Sequence, residues 1–396
     1  MKISSKESVR PKRYEESCWP TPRQKLLLRA ALLRGGGAVE AWNEWKAGAR
    51  IDRLDLGSLR LLPLLYKNLQ RHGVEERLID DLKRVYRTTW SNNRVLFRNM
   101  AALLRLFHDA GIQTLLLKGA PLVLLYYRDY GLRPMADFDV LVRTKDALAA
   151  FELLKRSGWI PAATETLTER HISVKHGASF NNSAGQEFDL HWHLLPECCQ
   201  PGADQDFWDD AVPIQIEQVP AYTLNPADHL LHVCAHGVKW NALPPLRWVA
   251  DATAIVGGAE INWRRLTAQA KKRRLVWPIK EGLSYLRETL DAPVPERVLL
   301  ELERMPTSRM ENIEYRYRTG NHREKLFGHL PALWINYLRA ADDAGAKPRL
   351  TAFIKYLRIY WGADRPGQLV LRALAKSMRR IWNTLAARGR SPAEKR

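Results

Sequence analysis

The spacing of apolar residues changes from helical to strand-like and back again along this chain. From about Arg23 to Leu106, apolar residues recur at steps of three and four, and Ala110-Gly111 then marks a helix stop. Between residues 112 and 195 short apolar runs predict strands, with a helix at Ala147 to Ser157. Helical spacing returns beyond Pro226. The pattern predicts an α+β fold, in which a small mixed sheet is flanked by N-terminal and C-terminal helical regions.

The same pattern divides the chain into five segments. They are a flexible basic N-terminus, a helical region, a mixed-sheet core, a helical domain and a basic amphipathic tail. Their predicted bounds are residues 1–19, 20–110, 111–200, 220–345 and 346–396.

Composition indicates the class of protein and the compartment. The 396 residues are 46% hydrophobic with 14 Trp, which suits a packed globular protein. Four cysteines are too few for a disulfide framework, and neither a signal peptide nor a spanning apolar run is present. We therefore expect a cytoplasmic protein.

The formal charge of +19 is concentrated near the C-terminus. Residues 347–396 hold 13 Lys and Arg but only two acids, Asp364 and Glu394. Apolar stripes recur there at helical spacing, first from Leu350 to Trp361 and then from Leu371 to Leu385. Such a basic amphipathic tail suits an anionic membrane surface, RNA or an acidic partner, or simply packs its stripes onto the body.

Two acids, Asp137 and Asp139, stand one residue apart before an apolar run. In a strand they would share one face while Phe138 and Val140 enter the core. Two carboxylates directed at one point repel each other unless a divalent cation lies between them. The other interpretation is a solvated strand end.

A short apolar strand ending in Lys118-Gly119 precedes this pair. A strand, a glycine and a helix start can cradle a phosphate with backbone N–H groups, and Lys118 would add a positive charge. One glycine by itself also suits a purely steric role.

A third acid, Asp189, alternates with apolar neighbours and shares a face with His191 and His193. The run Ile172 to Phe180 and the turn after it predict a hairpin that carries Asp189 beside the first two acids. Three carboxylates suit two Mg²⁺ (or Mn²⁺) ions that clamp a triphosphate. His191 is a candidate general base or substrate contact.

Three further histidines, His229, His232 and His236, fall on one predicted helix face. Their spacing suits a zinc site, a polar lining for the nucleotide cleft, or ordinary packing. His232 and His236 are the candidate cleft residues.

In this order of motifs the chain resembles the polymerase β-type nucleotidyltransferase superfamily. More narrowly, it is similar to a bacterial family of mostly uncharacterised nucleotidyltransferases, over about residues 20–290. The matching stretches are Leu117 to Ala120, Arg133 with Asp137 to Val142, Phe188 to Trp192, Asp228 to Gly237, and Leu246 to Asp251.

The resemblance implies transfer of a nucleoside monophosphate from a nucleoside triphosphate, with ATP favoured, to an acceptor. Asp137, Asp139 and Asp189 would carry Mg²⁺ or Mn²⁺ and the catalysis. Lys118, Gly119 and Arg133 would bind the nucleotide. The acceptor stays open among RNA, a protein side chain and a small metabolite.

One position departs from the superfamily pattern. Gly119 is followed by Ala120 where Gly-Ser or Gly-Gly is usual, so Lys118 or Arg133 would have to replace a hydroxyl contact. The alternative function is a catalytically inactive member of this fold that binds RNA, an anionic membrane or a protein partner. In either case the protein is expected to be cytoplasmic, either free or peripheral to the membrane.

Overall fold

A computed structural model describes residues 18–48, 51–163, 166–240, 246–320, 330–363 and 367–368. The predicted flexible N-terminus falls almost entirely outside the described residues, and so does the second amphipathic segment of the tail.

Five helices precede the sheet. Thr21 begins the first with a capping box, and Pro22 suits its first turn because that position needs no N–H donor. The last is long because apolar residues recur on one face from Leu82 to Phe107, and it ends where Gly111 takes a positive φ of 71°. They are α1 (Pro22–Leu32), α2 (Gly36–Ala47), α3 (Leu56–Leu59), α4 (Leu62–Arg71) and α5 (Arg77–Asp109).

The middle of the chain forms a seven-stranded mixed sheet with short helices between the strands. Its elements in chain order are β1 (Thr114–Leu117), α6 (Gly119–Leu122), β2 (Asp139–Val142), α7 (Ala147–Arg156), β3 (Ile160–Pro161), α8 (Glu169–Ile172), β4 (Gly177–Asn181), β5 (Glu187–His191), α9 (Gln205–Asp209), β6 (Val212–Ile216) and β7 (Val219–Thr223). A π-helical turn, Val123–Tyr127, continues α6. The predicted hairpin of β4 and β5 is confirmed.

The strand order is β3-β4-β5-β2-β1-β7-β6. At its centre β2 runs antiparallel to β1 and parallel to β5. Alternation along these strands gives the sheet two faces. Leu116, Val140 and Leu190 pack into a core that includes α5 and α7 residues, whereas Leu115 and Leu141 pack into the core of the helical regions.

Helices dominate again after the sheet. They are α10 (Pro226–Gly237), α11 (Arg247–Gly258), α12 (Trp263–Lys272), α13 (Val276–Leu290), α14 (Glu296–Arg304), α15 (Arg309–Thr319), α16 (Leu330–Asp343) and α17 (Leu350–Tyr360). The helices before and after the sheet share one apolar core, in which α1 contacts both α11 and α13. The predicted α+β fold with helical flanks is confirmed.

No helix in the described ranges has the length and apolar character needed to cross a bilayer. The four cysteines, Cys18, Cys198, Cys199 and Cys234, are all free.

Candidate active site

The parallel pairing of β2 and β5 brings the second and third predicted acids together. Asp139 is level with Asp189 in the register, and the Asp189 N–H donates to the carbonyl of Phe138 at 3.0 Å. Both side chains belong to the sheet face that is turned away from the α5 and α7 core. Asp139 is buried and Asp189 is half-buried.

Asp139, Asp189 and His191 each offer a ligand atom, and these atoms lie within 4.8 Å of one another. Carboxylate oxygens are the donors that Mg²⁺ and Mn²⁺ prefer. The two carboxylates therefore fit a divalent cation of this class.

The hydrogen bonds of His191 favour a supporting role for this ring. Its Nε2 lies 3.0 Å from Asp139 Oδ1, while its buried Nδ1 has no partner among the described residues. A histidine that binds metal through one nitrogen normally donates the proton of the other to an acceptor. Since Nδ1 has no such acceptor, we assign the proton to Nε2, from which His191 donates to Asp139 and orients it.

This assignment predicts different outcomes for two substitutions of His191. His191→Gln keeps an N–H donor and should bind Mn²⁺ within about 10-fold of wild type, whereas His191→Ala should lose roughly 10- to 100-fold. Calorimetric Mn²⁺ titration measures both. Equal losses in the two variants would show that the imidazole itself is required.

Asp139 also accepts a hydrogen bond from the Lys118 ammonium. Burial opposes ionisation of this carboxyl, but Lys118 and His191 outweigh burial and hold its pKa well below the usual range. Asp139 is therefore an anion at every physiological pH, as a metal ligand must be.

The turn between β1 and α6 holds Lys118 in an unusual backbone conformation. Its φ is 50° and its ψ is −114°, a region that non-glycine residues seldom adopt and that occurs most often at functional sites. Gly119 follows, and a Cβ there would lie 2.7 Å from Arg133 Nη1. Only glycine leaves room for this guanidinium beside the turn. The Ala120 methyl is buried in the α5 and α7 core.

Arg133 is fixed by an acid that sequence reasoning did not select. Its Nε and Nη2 donate to the two carboxylate oxygens of Asp251, on α11, at 2.8 and 2.9 Å. Both side chains are buried, and the Tyr127 hydroxyl donates to the same carboxylate at 2.9 Å. Asp251 thus holds Arg133 against Gly119. The stretch Leu246 to Asp251 matches the family pattern, but no local feature of the sequence distinguishes this acid from one on a helix surface.

Asp137 lies in the segment before β2 and is exposed. It is not in the group of clustered ligand atoms, because β2 begins only at Asp139. The structure thus brings together two of the three predicted acids and leaves the third at the rim.

The three histidines of α10 have different surroundings. His229 is buried, with Nδ1 3.0 Å from the Tyr126 hydroxyl and Nε2 3.1 Å from Thr223 Oγ1. Thr223 already donates to the Leu116 carbonyl, so His229 must donate from Nε2 and accept from Tyr126 at Nδ1. The neutral ring links α10 to β7 by a hydrogen bond, and its role is structural.

This arrangement predicts a pH dependence of stability. Burial lowers the pKa of His229 from 6.5 to about 3, so the unfolded chain binds this proton more readily. Stability from His229 is full above the unfolded pKa and is lost as pH falls from 6.5 toward 3. At pH 5 the loss should reach about 2 kcal/mol.

Urea unfolding at about pH 7.5 and about pH 5 tests this expectation. His229→Gln should lose less stability than wild type between these two conditions, and His108→Gln, at an exposed position, is the matched control. An unchanged pH dependence in His229→Gln would contradict the assignment.

His232 and His236 lie toward the acids. Burial, and next the Lys118 cation, lower the pKa of His232, and Lys239 and burial lower that of His236. His236 is nevertheless exposed and Lys239 is half-buried. Both groups therefore reach solvent. Within the described part of the chain, the α10 histidines do not form a group of potential metal ligands.

Sequence reasoning did not select His176 or Lys239 for this region. The His176 ring lies 5.4 Å from that of His191, and burial and His191 lower its pKa to about 3. Histidines with lowered pKa values, together with the cations Lys118 and Lys239, surround the acids with groups that suit an anionic ligand.

The first amphipathic segment of the tail forms α17. Phe353 and Leu357 are buried and form a small core with residues of α16. Part of the stripe therefore packs against α16, whereas Leu350 and Ile354 are exposed. Leu371 to Leu385 lie outside the described residues.

Comparison with known proteins identifies the chain at the level of a family. No curated protein matches it. Its fold is similar to the crystal structure of an antigenic nucleotidyltransferase-like protein from Paracoccidioides brasiliensis, with 14% identity, 54% of this chain and 94% of that chain covered, and a TM-score of 0.35. Residues 57–291, more than half of the chain, match the family described as uncharacterised nucleotidyltransferase. The chain therefore belongs to this uncharacterised nucleotidyltransferase family.

Proposed function

We propose that this protein transfers a nucleoside monophosphate from a nucleoside triphosphate, with ATP favoured, to an acceptor. The observation that carries the proposal is the pairing of Asp139 with Asp189 within one potential metal site, next to Lys118. Membership of the family supports the same reaction class.

The carboxylates of Asp139 and Asp189 would hold Mg²⁺ or Mn²⁺, which would neutralise the triphosphate and favour departure of pyrophosphate. Lys118 would turn from Asp139 to the phosphates, and Arg133 would add its charge beside Gly119. Asp137, which is exposed, would make a smaller contribution to the negative charge of the site.

The chemical step would be an in-line displacement at the α-phosphorus. An acceptor oxygen forms the new bond to phosphorus, the bond to the bridging oxygen of pyrophosphate breaks, and pyrophosphate leaves with that electron pair. Asp189 would accept the proton of the acceptor hydroxyl, since its carboxylate is only half-buried and so more accessible than that of Asp139.

The test uses the full chain with each of the four NTPs labelled at the α-phosphate, and with Mg²⁺ or Mn²⁺. RNA, protein and small hydroxylated metabolites are offered as acceptors, and pyrophosphate release is followed in parallel. We expect label transfer with at least one NTP. Neither nucleotide binding nor transfer with any combination would overturn the proposal.

One observation favours a second function, that of a catalytically inactive binding module. The Lys118 ammonium already neutralises Asp139, as a metal ion would. In such a module Lys118 would replace the cation permanently. A saturable Mn²⁺ site that Asp139→Asn removes would support the enzyme, whereas a wild-type chain without such a site would support the module.

A further inference from the structure

One face of α5 carries an unusual run of positive charge. From Leu82 to His108 the chain contains six Lys and Arg and no Asp or Glu. Four of these cations and one tryptophan fall at steps of three, four and seven, which places them on one side of the helix. We call this set the α5 stripe: Arg87, Trp90, Arg94, Arg98 and Arg105.

The stripe is open to solvent. Arg87, Arg98 and Arg105 are exposed and have no acidic partner among the described residues, and Trp90 is 46% exposed. Arg94 is partly paired, with Nη1 3.4 Å from Glu217. By helix geometry the stripe extends about 27 Å.

This arrangement has an energetic cost within the protein itself. Like charges four residues apart, such as Arg94 and Arg98, destabilise a helix, and α5 itself has no acid between Leu82 and His108 to offset them. Glu217 offsets only part of the charge of Arg94. An ordinary solvated helix face mixes both signs of charge. A polyanion lying along the stripe would relieve the repulsion.

Aromatic groups accompany the charges. The Arg94 guanidinium lies over both the Trp90 ring and the Tyr130 ring, with its carbon 5.9 and 4.9 Å from their centroids. An exposed tryptophan between arginines is a stacking platform for an unpaired base. A membrane would instead require an apolar face, but the apolar face of α5 is buried in the core.

A neighbour of the stripe on α5 is linked to the segment that carries Arg133. Asn93, next to Arg94, donates to the carbonyls of Tyr130 and Arg133 at 2.7 and 2.8 Å. The segment that carries Arg133 to Gly119 is therefore anchored on this part of α5.

From these observations we propose that the α5 stripe binds single-stranded nucleic acid, with the arginines on phosphates and Trp90 on a base. This binding needs neither metal nor triphosphate, so it stands or fails separately from nucleotide transfer.

The test measures fluorescence anisotropy of a labelled oligouridylate of about 20 nucleotides with the full chain, in EDTA and without NTP. Arg87→Gln/Arg98→Gln/Arg105→Gln should weaken binding about 10-fold or more and reduce the slope of log K against log salt by about 2. Trp90→Ala should weaken binding by about 5-fold or more. The matched control is Arg264→Gln/Lys271→Gln/Arg297→Gln, which removes three exposed charges elsewhere.

Several results would overturn the proposal. They are no binding by wild type at low salt, equal losses in the two triple variants, a Trp90→Ala variant that binds as wild type does, and tighter binding of a DNA duplex than of the oligouridylate. Loss of phosphatidylserine-vesicle binding in the stripe variant, without oligonucleotide binding by wild type, would assign the stripe to a membrane instead. An unchanged affinity in Asp139→Asn would confirm that binding is independent of the candidate active site.

Discussion

Asp139→Asn is expected to reduce nucleotide transfer by about 10³-fold or more, because it removes a charge at the centre of the site. Asp139 is buried and accepts hydrogen bonds from Lys118 and His191. In the strand register it lies level with Asp189. Asn has the same shape but no negative charge, and an NH2 group replaces one of the two oxygens that could bind a divalent cation. Label transfer and Mn²⁺ titration measure the loss, and both should fall together.

Asp137→Asn is the informative comparison, since sequence analysis predicts the same metal-binding role for Asp137 and Asp139. Because Asp137 is exposed and lies outside the clustered ligand atoms, its loss should be smaller, on the order of 10-fold. Glu187→Gln, an exposed acid two residues before Asp189, is the control and should leave transfer unchanged. A loss in Asp137→Asn as large as that in Asp139→Asn would mean that Asp137 turns inward to join the metal site.

Asp251→Ala is expected to lower the free energy of unfolding by about 3–5 kcal/mol, since it leaves the buried Arg133 guanidinium without its partner. The pair makes two parallel hydrogen bonds, and Tyr127 would lose its acceptor as well. Urea unfolding at neutral pH measures the change.

A double variant tests whether the loss of stability in Asp251→Ala comes from the unpaired Arg133 charge. Arg133→Met/Asp251→Ala removes both charges and should recover much of the stability lost in Asp251→Ala, since no unpaired cation stays buried. It should not recover nucleotide affinity, because Arg133 would no longer stand beside Gly119. Glu44→Ala, at an exposed position of α2, is the control. If the double variant is less stable than Asp251→Ala, desolvation of Arg133 is not the cause of the loss.

Strand and helix spacing predicted much of the core from local signals. β1, the β4–β5 hairpin and α7 lie where apolar periodicity predicted them, and helices follow where helical spacing returns beyond Pro226. The β6–β7 hairpin was missed. Its strands contain Pro213 and Pro220, which argue against a strand interior, and its turn residues Glu217 and Gln218 take positive φ without any glycine.

The candidate site was predicted in part for the same reason. Alternation alone predicts that Asp139 lies on one face of its strand and Asp189, with His191, on one face of another. The parallel pairing of the two strands sets Asp139 level with Asp189. No local signal predicts that Arg133 pairs with Asp251, 118 residues away. Nor does spacing distinguish His229, which fastens α10 to the sheet, from His232 and His236 on the same face.

By itself the sequence determined the α+β class, the order of Lys118-Gly119 and the three acids, and the concentration of positive charge near the C-terminus. These features depend on neighbours within a turn or a strand. Only the tertiary structure decided that Asp139 and Asp189 meet while Asp137 stays at the rim, that Asp251 holds Arg133 against Gly119, and that Arg87, Arg98 and Arg105 are left without acidic partners in the described chain. These facts depend on strand pairing and helix packing, which join residues distant in sequence.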